Sequence, residues 1–119
     1  MELKKGMYVR YKYYYKEKIG KLYDINFSKD LFITDNLVML TNEDVVKESE
    51  ILKASNSLMD LIEIGDYVNG YLVDDIERYD SKTYLNLHYN ELEWRPIYIE
   101  DIKNVVTKQQ FDIEKYEVN

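Results

Sequence analysis

Cysteine is absent from this chain, which removes both a disulfide framework and any thiolate metal site. The only histidine, His88, has Glu91 three residues on but no second histidine or thiolate to complete a ligand set or a catalytic pair. Four glycines are too few and too scattered for a phosphate-cradling loop, and no serine stands in a Gly-x-Ser-x-Gly turn. No catalytic residue, metal site or cofactor is therefore expected, and the chain reads as a non-enzyme. No stretch approaches the roughly 20 apolar residues of a membrane span. Met1 to Gly6 lacks the apolar run of a secretory leader, so the cytoplasm is the expected compartment.

Tyrosine and charge are abundant. Thirteen tyrosines and a hydrophobic content of 45% are too apolar for a disordered chain. The net charge of −7 is unevenly placed: residues 1–30 sum to +4 and residues 31–119 to −11. Phosphate binding calls for a broad positive face, which argues against a general nucleic-acid binder. An acidic body with a small basic arm suits docking on something basic.

Internal repetition organises the chain. Gly6-Met7-Tyr8-Val9 and Gly65-Asp66-Tyr67-Val68 open two halves. Gly20-Lys21-Leu22-Tyr23-Asp24-Ile25 follows the first, and Gly70-Tyr71-Leu72-Val73-Asp74-Asp75-Ile76 follows the second. The halves close on Glu43-Asp44-Val45-Val46-Lys47 and Glu100-Asp101-Ile102-Lys103-Asn104, an apparent match. The first half differs by a Tyr- and Lys-rich insert, Tyr11 to Lys18.

Aromatic and β-branched runs bounded by turn residues predict strands at residues 7–11, 20–25, 30–34 and 37–40. The second half repeats them at 67–68, 71–73, 83–87 and 97–99, with Leu61 to Ile64 leading in and Tyr116 to Val118 at the end. Asp35-Asn36 reads as a two-residue turn. Short helical turns are expected at Asn42 to Lys47 and at Thr107 to Phe111. The fold class is mostly β: two tandem small barrels or curled sheets, residues 1–50 and 61–119, joined by a polar connector at 51–60. Two units of this size bury little surface alone, so they are expected to pack together.

Three groups stand out as partner-binding candidates. Tyr11, Tyr13, Tyr14 and Tyr15 alternate with lysines, a composition that stacks bases, grips a protein, or covers a sheet face while lysines protect an edge. Asp74, Asp75, Glu77 and Asp80, with Glu91 and Glu93, make an acidic cluster able to imitate phosphate spacing or simply to confer solubility. Trp94-Arg95 is either an interface anchor or a core tryptophan, with Pro96 marking a bend or an edge strand. Asp24, Asn26, Ser28, Asp30 and Asp35 superficially match a calcium loop, but Lys29 holds its glycine position, and a hairpin explains them better.

Asp60-Leu61-Ile62-Glu63-Ile64-Gly65-Asp66-Tyr67-Val68-Asn69-Gly70-Tyr71 and Ile102 to Phe111 resemble small proteins carried by phages and prophages of low-GC Gram-positive bacteria. The Gly-x-Tyr-Val opening also resembles SH3-like barrels. These resemblances imply a mobile-element origin and a β-rich fold, and supply no catalytic residues. The expected function is a phage-encoded binder and inhibitor of a host macromolecule, most concretely an anti-CRISPR-type inhibitor of a defence nuclease. The alternatives are a nucleic-acid-binding accessory module using the Tyr/Lys insert and a structural or assembly component of a phage particle.

Overall fold

A computed structural model describes residues 2–25, 36–79 and 82–110. Most of the calcium-like loop, the strand expected at 30–34, Asp80, Phe111 and the expected last strand lie outside the described residues.

The chain divides into two compact units, Met1–Leu61 and Ile62–Asn119. It is mostly β, with two five-stranded antiparallel sheets, one a curled half-barrel. In the first unit β1 (Tyr8–Tyr13), β2 (Lys16–Ile25), β3 (Leu37–Leu40), β4 (Val45–Lys47) and β5 (Ile51–Ser55) lie in the order β4-β3-β2-β1-β5. In the second, β6 (Tyr67–Val68), β7 (Tyr71–Tyr79), β8 (Lys82–Asn90), β9 (Glu93–Ile97) and β10 (Val105–Val106) lie in the order β10-β6-β7-β8-β9. Each sheet is thus a four-stranded meander whose fifth strand returns beside its first. A 3-10 turn, Glu48–Glu50 or Ile99–Asp101, precedes that fifth strand in each case.

The Gly-x-Tyr-Val signature plays the same part in both units. Gly6 and Gly65 have φ of +88° and +100°, a left-handed conformation that a Cβ makes costly. The Gly6 N–H donates to the Leu22 carbonyl at 2.9 Å, and the Leu22 N–H donates to Met7 at 2.8 Å. Gly65 donates to Val73 at 3.0 Å, and Val73 to Asp66 at 2.8 Å. This reversal delivers Val9 and Val68, both fully buried, into the first strand. Both second strands then bulge at matched places, between Leu22 and Asp24 and between Val73 and Asp75. After each bulge an Asp side chain accepts the next N–H at 2.9 Å, Asp24 from Ile25 and Asp75 from Ile76.

Several sequence expectations are corrected. Residues 51–55 are not a connector: they form β5 against β1, with Ile51 buried in the core, and Leu58–Leu61 follows as a 3-10 turn. Asn42 to Lys47 is not helical. Asn42 Oδ1 accepts the Asp44 N–H at 3.0 Å and Glu43 takes φ +74°, so an Asx turn wins locally and β4 follows with Val46 buried. Residues 62–64 form no strand, and β9 ends at Ile97 because Ile99 opens a 3-10 turn. The two closing segments are out of step, since Glu48–Glu50 rather than Glu43-Asp44 matches Ile99–Asp101. Gly20 and Gly70 also differ: Gly20 lies inside β2, whereas Asn69-Gly70, both at positive φ, form the two-residue turn between β6 and β7. Thr107 does cap a helical turn, its hydroxyl accepting the Gln110 N–H at 3.1 Å.

The first unit's core gathers Val9, Tyr11, Leu22, Val38, Leu40, Val46 and Ile51. Tyr11 is fully buried, its ring filling the space a Cβ on Gly20 would enter. Its hydroxyl donates to Asp44 Oδ2 at 2.7 Å, and Lys18 Nζ meets the same oxygen at 2.7 Å. Asn42 Nδ2 donates to the Tyr11 oxygen at 3.0 Å. Burial pushes the Tyr11 phenol well above its ordinary range. Partial burial opposes ionisation of Asp44, but the bonds from Lys18 and Tyr11 outweigh it and hold that carboxyl low. On the other face of β1, Arg10 is also buried, with Nη2 2.8 Å from Glu17 and Nη1 donating to the Leu61 carbonyl at 3.2 Å.

Both titrations carry a stability signature. The depressed Asp44 contributes stability above about pH 4, lost as pH falls through its lowered value. The raised Tyr11 contributes below about pH 10, lost as pH rises toward its raised value. Urea unfolding against pH should show both limbs. Tyr11→Phe should cost about 1.5–3 kcal/mol at pH 7, the worth of a hydrogen bond to a charged group, and remove the Tyr11 part of the alkaline limb. Asp44→Asn should flatten the acidic one.

Candidate functional site

The long β7–β8 hairpin and its neighbour β9 present a face on which four of the expected contact residues meet. Side chains alternate across a strand, and the register pairs Leu85 with Ile76 and Ile97, and Leu87 with Val73. Val73, Leu85, Leu87 and Ile97 are buried, which leaves Glu77, Tyr84, Asn86, His88 and Trp94 on the opposite face. Asp75 pairs with Asn86 and shares that face. Asp74 is the bulged residue, and a bulge re-aims its side chain. Its Oδ2 accepts the indole N–H of Trp94 at 2.8 Å.

Trp94 is thus held at its N–H, and it is also held on one ring face. Beneath it, His88 stacks nearly parallel, with ring centres 5.0 Å apart and planes 7° from parallel. The two residues are directly paired across β8 and β9, where facing side chains are close enough to stack. Trp94 nevertheless remains 49% exposed: it lies on an open surface and is not a core tryptophan. Farther along, the Tyr84 hydroxyl donates to Glu77, and Tyr84 lies 5.8 Å from the half-exposed ring of Tyr98. The result is a sheet face with Trp94 and Tyr98 bordered by Asp74, Asp75 and Glu77.

The other expected residues are placed elsewhere. Glu91 is exposed in the β8–β9 turn. Glu93 pairs with Arg95, and the Arg95 guanidinium lies 4.7 Å over Tyr89, which in turn stacks on Tyr71 at 4.0 Å. By strand alternation that group belongs to the face opposite Trp94. Tyr11 is core and cannot meet a partner. Tyr13, Tyr14 and Tyr15 stand at the β1–β2 tip in the first unit, and Asp80 is outside the described residues. Pro96 does sit on an edge strand; the insert's hairpin is central in its sheet only up to Tyr11 and from Leu22 on, so among the described residues Lys12 and Lys16 stand where the hairpin's outer edges are open.

No family model matches the chain, and no significant match was found among curated proteins or solved structures. Among the described residues, no group of His, Asp and Glu is arranged to hold a metal ion. A depression of about 560 Å³ is lined by Asn69, Ile97, Glu100, Asp101, Lys103 and Asn104. One of its polar groups is already committed: Asn69 accepts the N–H groups of Lys103 and Asn104 and donates to the Asp101 carbonyl.

His88, Tyr84 and Tyr98 are the members that sequence reasoning missed. The signal for two of them was available, because alternation in Thr83 to Asn90 sets Tyr84 and His88 on the side opposite Leu85 and Leu87. His88→Ala should remove the platform under Trp94, red-shift the emission of this single tryptophan, and lower stability by about 0.5–1.5 kcal/mol. Unchanged emission would contradict the stacked arrangement.

Proposed function

We propose that this chain is a non-enzymatic binding protein that docks the Asp74, Asp75, Glu77 and Trp94 face onto a basic surface of a host macromolecule. The observation that carries this reading is one exposed, pre-positioned tryptophan held by Asp74 on a sheet face that also carries Asp75 and Glu77. A tryptophan already locked by a stack and a hydrogen bond loses little freedom on binding, the condition under which an anchor contributes most. The carboxylates of that face speed encounter with a positive surface and reject negative ones. In its most concrete form the protein is a phage-encoded inhibitor acting in the cytoplasm of a bacterial host. Its target is a defence nuclease, such as a CRISPR effector, whose nucleic-acid channel supplies the basic surface. The excess of acid over residues 31–119 and the phage-like runs at 60–71 and 102–111 favour that form.

Among the described residues no helix is long and apolar enough to cross a membrane, and no membrane partner is part of the proposal. The chain should capture a nuclease effector from host extract or from a purified panel, with affinity falling steeply as salt rises. Trp94→Ala should weaken capture by about 30-fold or more, the effect of losing a central anchor of about 2 kcal/mol. Asp75→Lys with Glu77→Lys should slow association chiefly, with circular dichroism unchanged. Absence of any salt-sensitive nuclease partner would sink the inhibitor reading.

A further inference from the structure

We infer that the β1–β2 hairpin is a separate interaction surface that binds single-stranded nucleic acid by stacking bases on Tyr14 and Tyr15. β1 pairs with β5 only over Tyr8–Tyr11, and β2 pairs with β3 only from Leu22 onward. The stretch from Lys12 to Glu17 therefore continues past its neighbours as a two-stranded ribbon. Its tip is the two-residue loop Tyr14-Tyr15, closed by the Tyr13–Lys16 pair. The rings are 81% and 93% exposed, far more than tyrosine needs if its task is to cover a sheet.

The backbone at the tip is a second, independent observation. Tyr14 has φ +58°, and Tyr15 is not in the positive region. Positive φ at the first loop residue alone is the pattern of a type II′ hairpin turn, which ordinarily has glycine there. A tyrosine at that position is costly for the fold, and such strain gathers where a side chain has work to do. The ring is also braced: Tyr13 meets Tyr14 edge-on at 4.7 Å, and Lys18 lies 5.0 Å over the Tyr13 ring.

Charge selects the partner. Arg10 and Lys18 are engaged with Glu17 and Asp44, whereas Lys16, and Lys12 opposite the already engaged Glu17, form no ion pair among the described residues and flank the tip on the two faces of the ribbon. Exposed π-faces next to two uncommitted ammonium groups fit a strand of unpaired bases, which offers a ring and a phosphate at each step. A basic protein would be repelled by those lysines. The contact is small and electrostatically modest: two phosphates neutralised on a single strand give a log–log salt slope of about −1.4.

Fluorescence anisotropy of the full chain with labelled oligo-thymidine and oligo-uridine of about 20 nucleotides, at low salt, tests this. Tyr14→Asn, which suits positive φ, and Tyr15→Ala should each weaken binding about fivefold or more and together abolish it. Lys12→Gln with Lys16→Gln should shrink the salt slope toward zero. The Asp75→Lys, Glu77→Lys variant should not weaken oligonucleotide binding, so this surface and the acidic face fail or succeed separately. Unchanged circular dichroism and urea midpoints would show that the tip variants fold. Three outcomes overturn the inference: no binding at low salt, binding that survives the double tyrosine variant, or tip variants that abolish only capture of a protein partner.

Discussion

Each sheet depends on a glycine held in the left-handed region immediately before its first strand. Gly6 and Gly65 let the chain reverse tightly enough for their own N–H groups to bond to the second strand. Without that reversal the first strand would enter in another register, and a one-residue slip would turn Val9 or Val68 outward. The constraint reaches farther, because the first strand is also the one against which the fifth closes. Local backbone freedom at one residue therefore governs a pairing made about 40 residues later, between Val68 and Val105 or between Val9 and Ala54.

On this shared frame the two units differ where surfaces are displayed. The bulge in the second strand occurs in both, but it carries the exposed Tyr23 in one unit and Asp74 in the other. Among the described residues the third strand is longer in the second unit, where Trp94 on the fourth strand receives that aspartate. Among the described residues, the long hairpins are β1–β2 in the first unit and β7–β8 in the second. One frame thus supports a narrow aromatic ribbon and a broad acidic face without altering the core that holds either.

The strands with clear alternation or aromatic runs, such as Thr83 to Leu87 and Leu37 to Leu40, were legible in the sequence because their pattern is local. β5 was not: Ile51 to Ser55 is a strand because β1 offers an unpaired edge, a partner about 40 residues upstream. Asn42 to Lys47 misled because helix-like acidic residues at its start are spent on an Asx turn. At the site, the acidity of Asp74, Asp75 and Glu77 and the promise of Trp94 were visible, but their meeting depends on a bulge and on cross-strand register. The same register separates Arg95 from its neighbour Trp94, a division that composition alone conceals. Tyr11 looked like part of a repeating surface motif, and only its contact with Gly20 and Asp44 shows it to be core.

Pro96 gives the Trp94 face a particular character. Proline has no N–H to offer, and on the border strand β9 it leaves the outer ladder incomplete. A visiting strand cannot simply zip onto that border, so any partner docked there as proposed would be read by side chains and not by backbone. Surfaces of that kind change specificity one substitution at a time while the scaffold beneath stays the same.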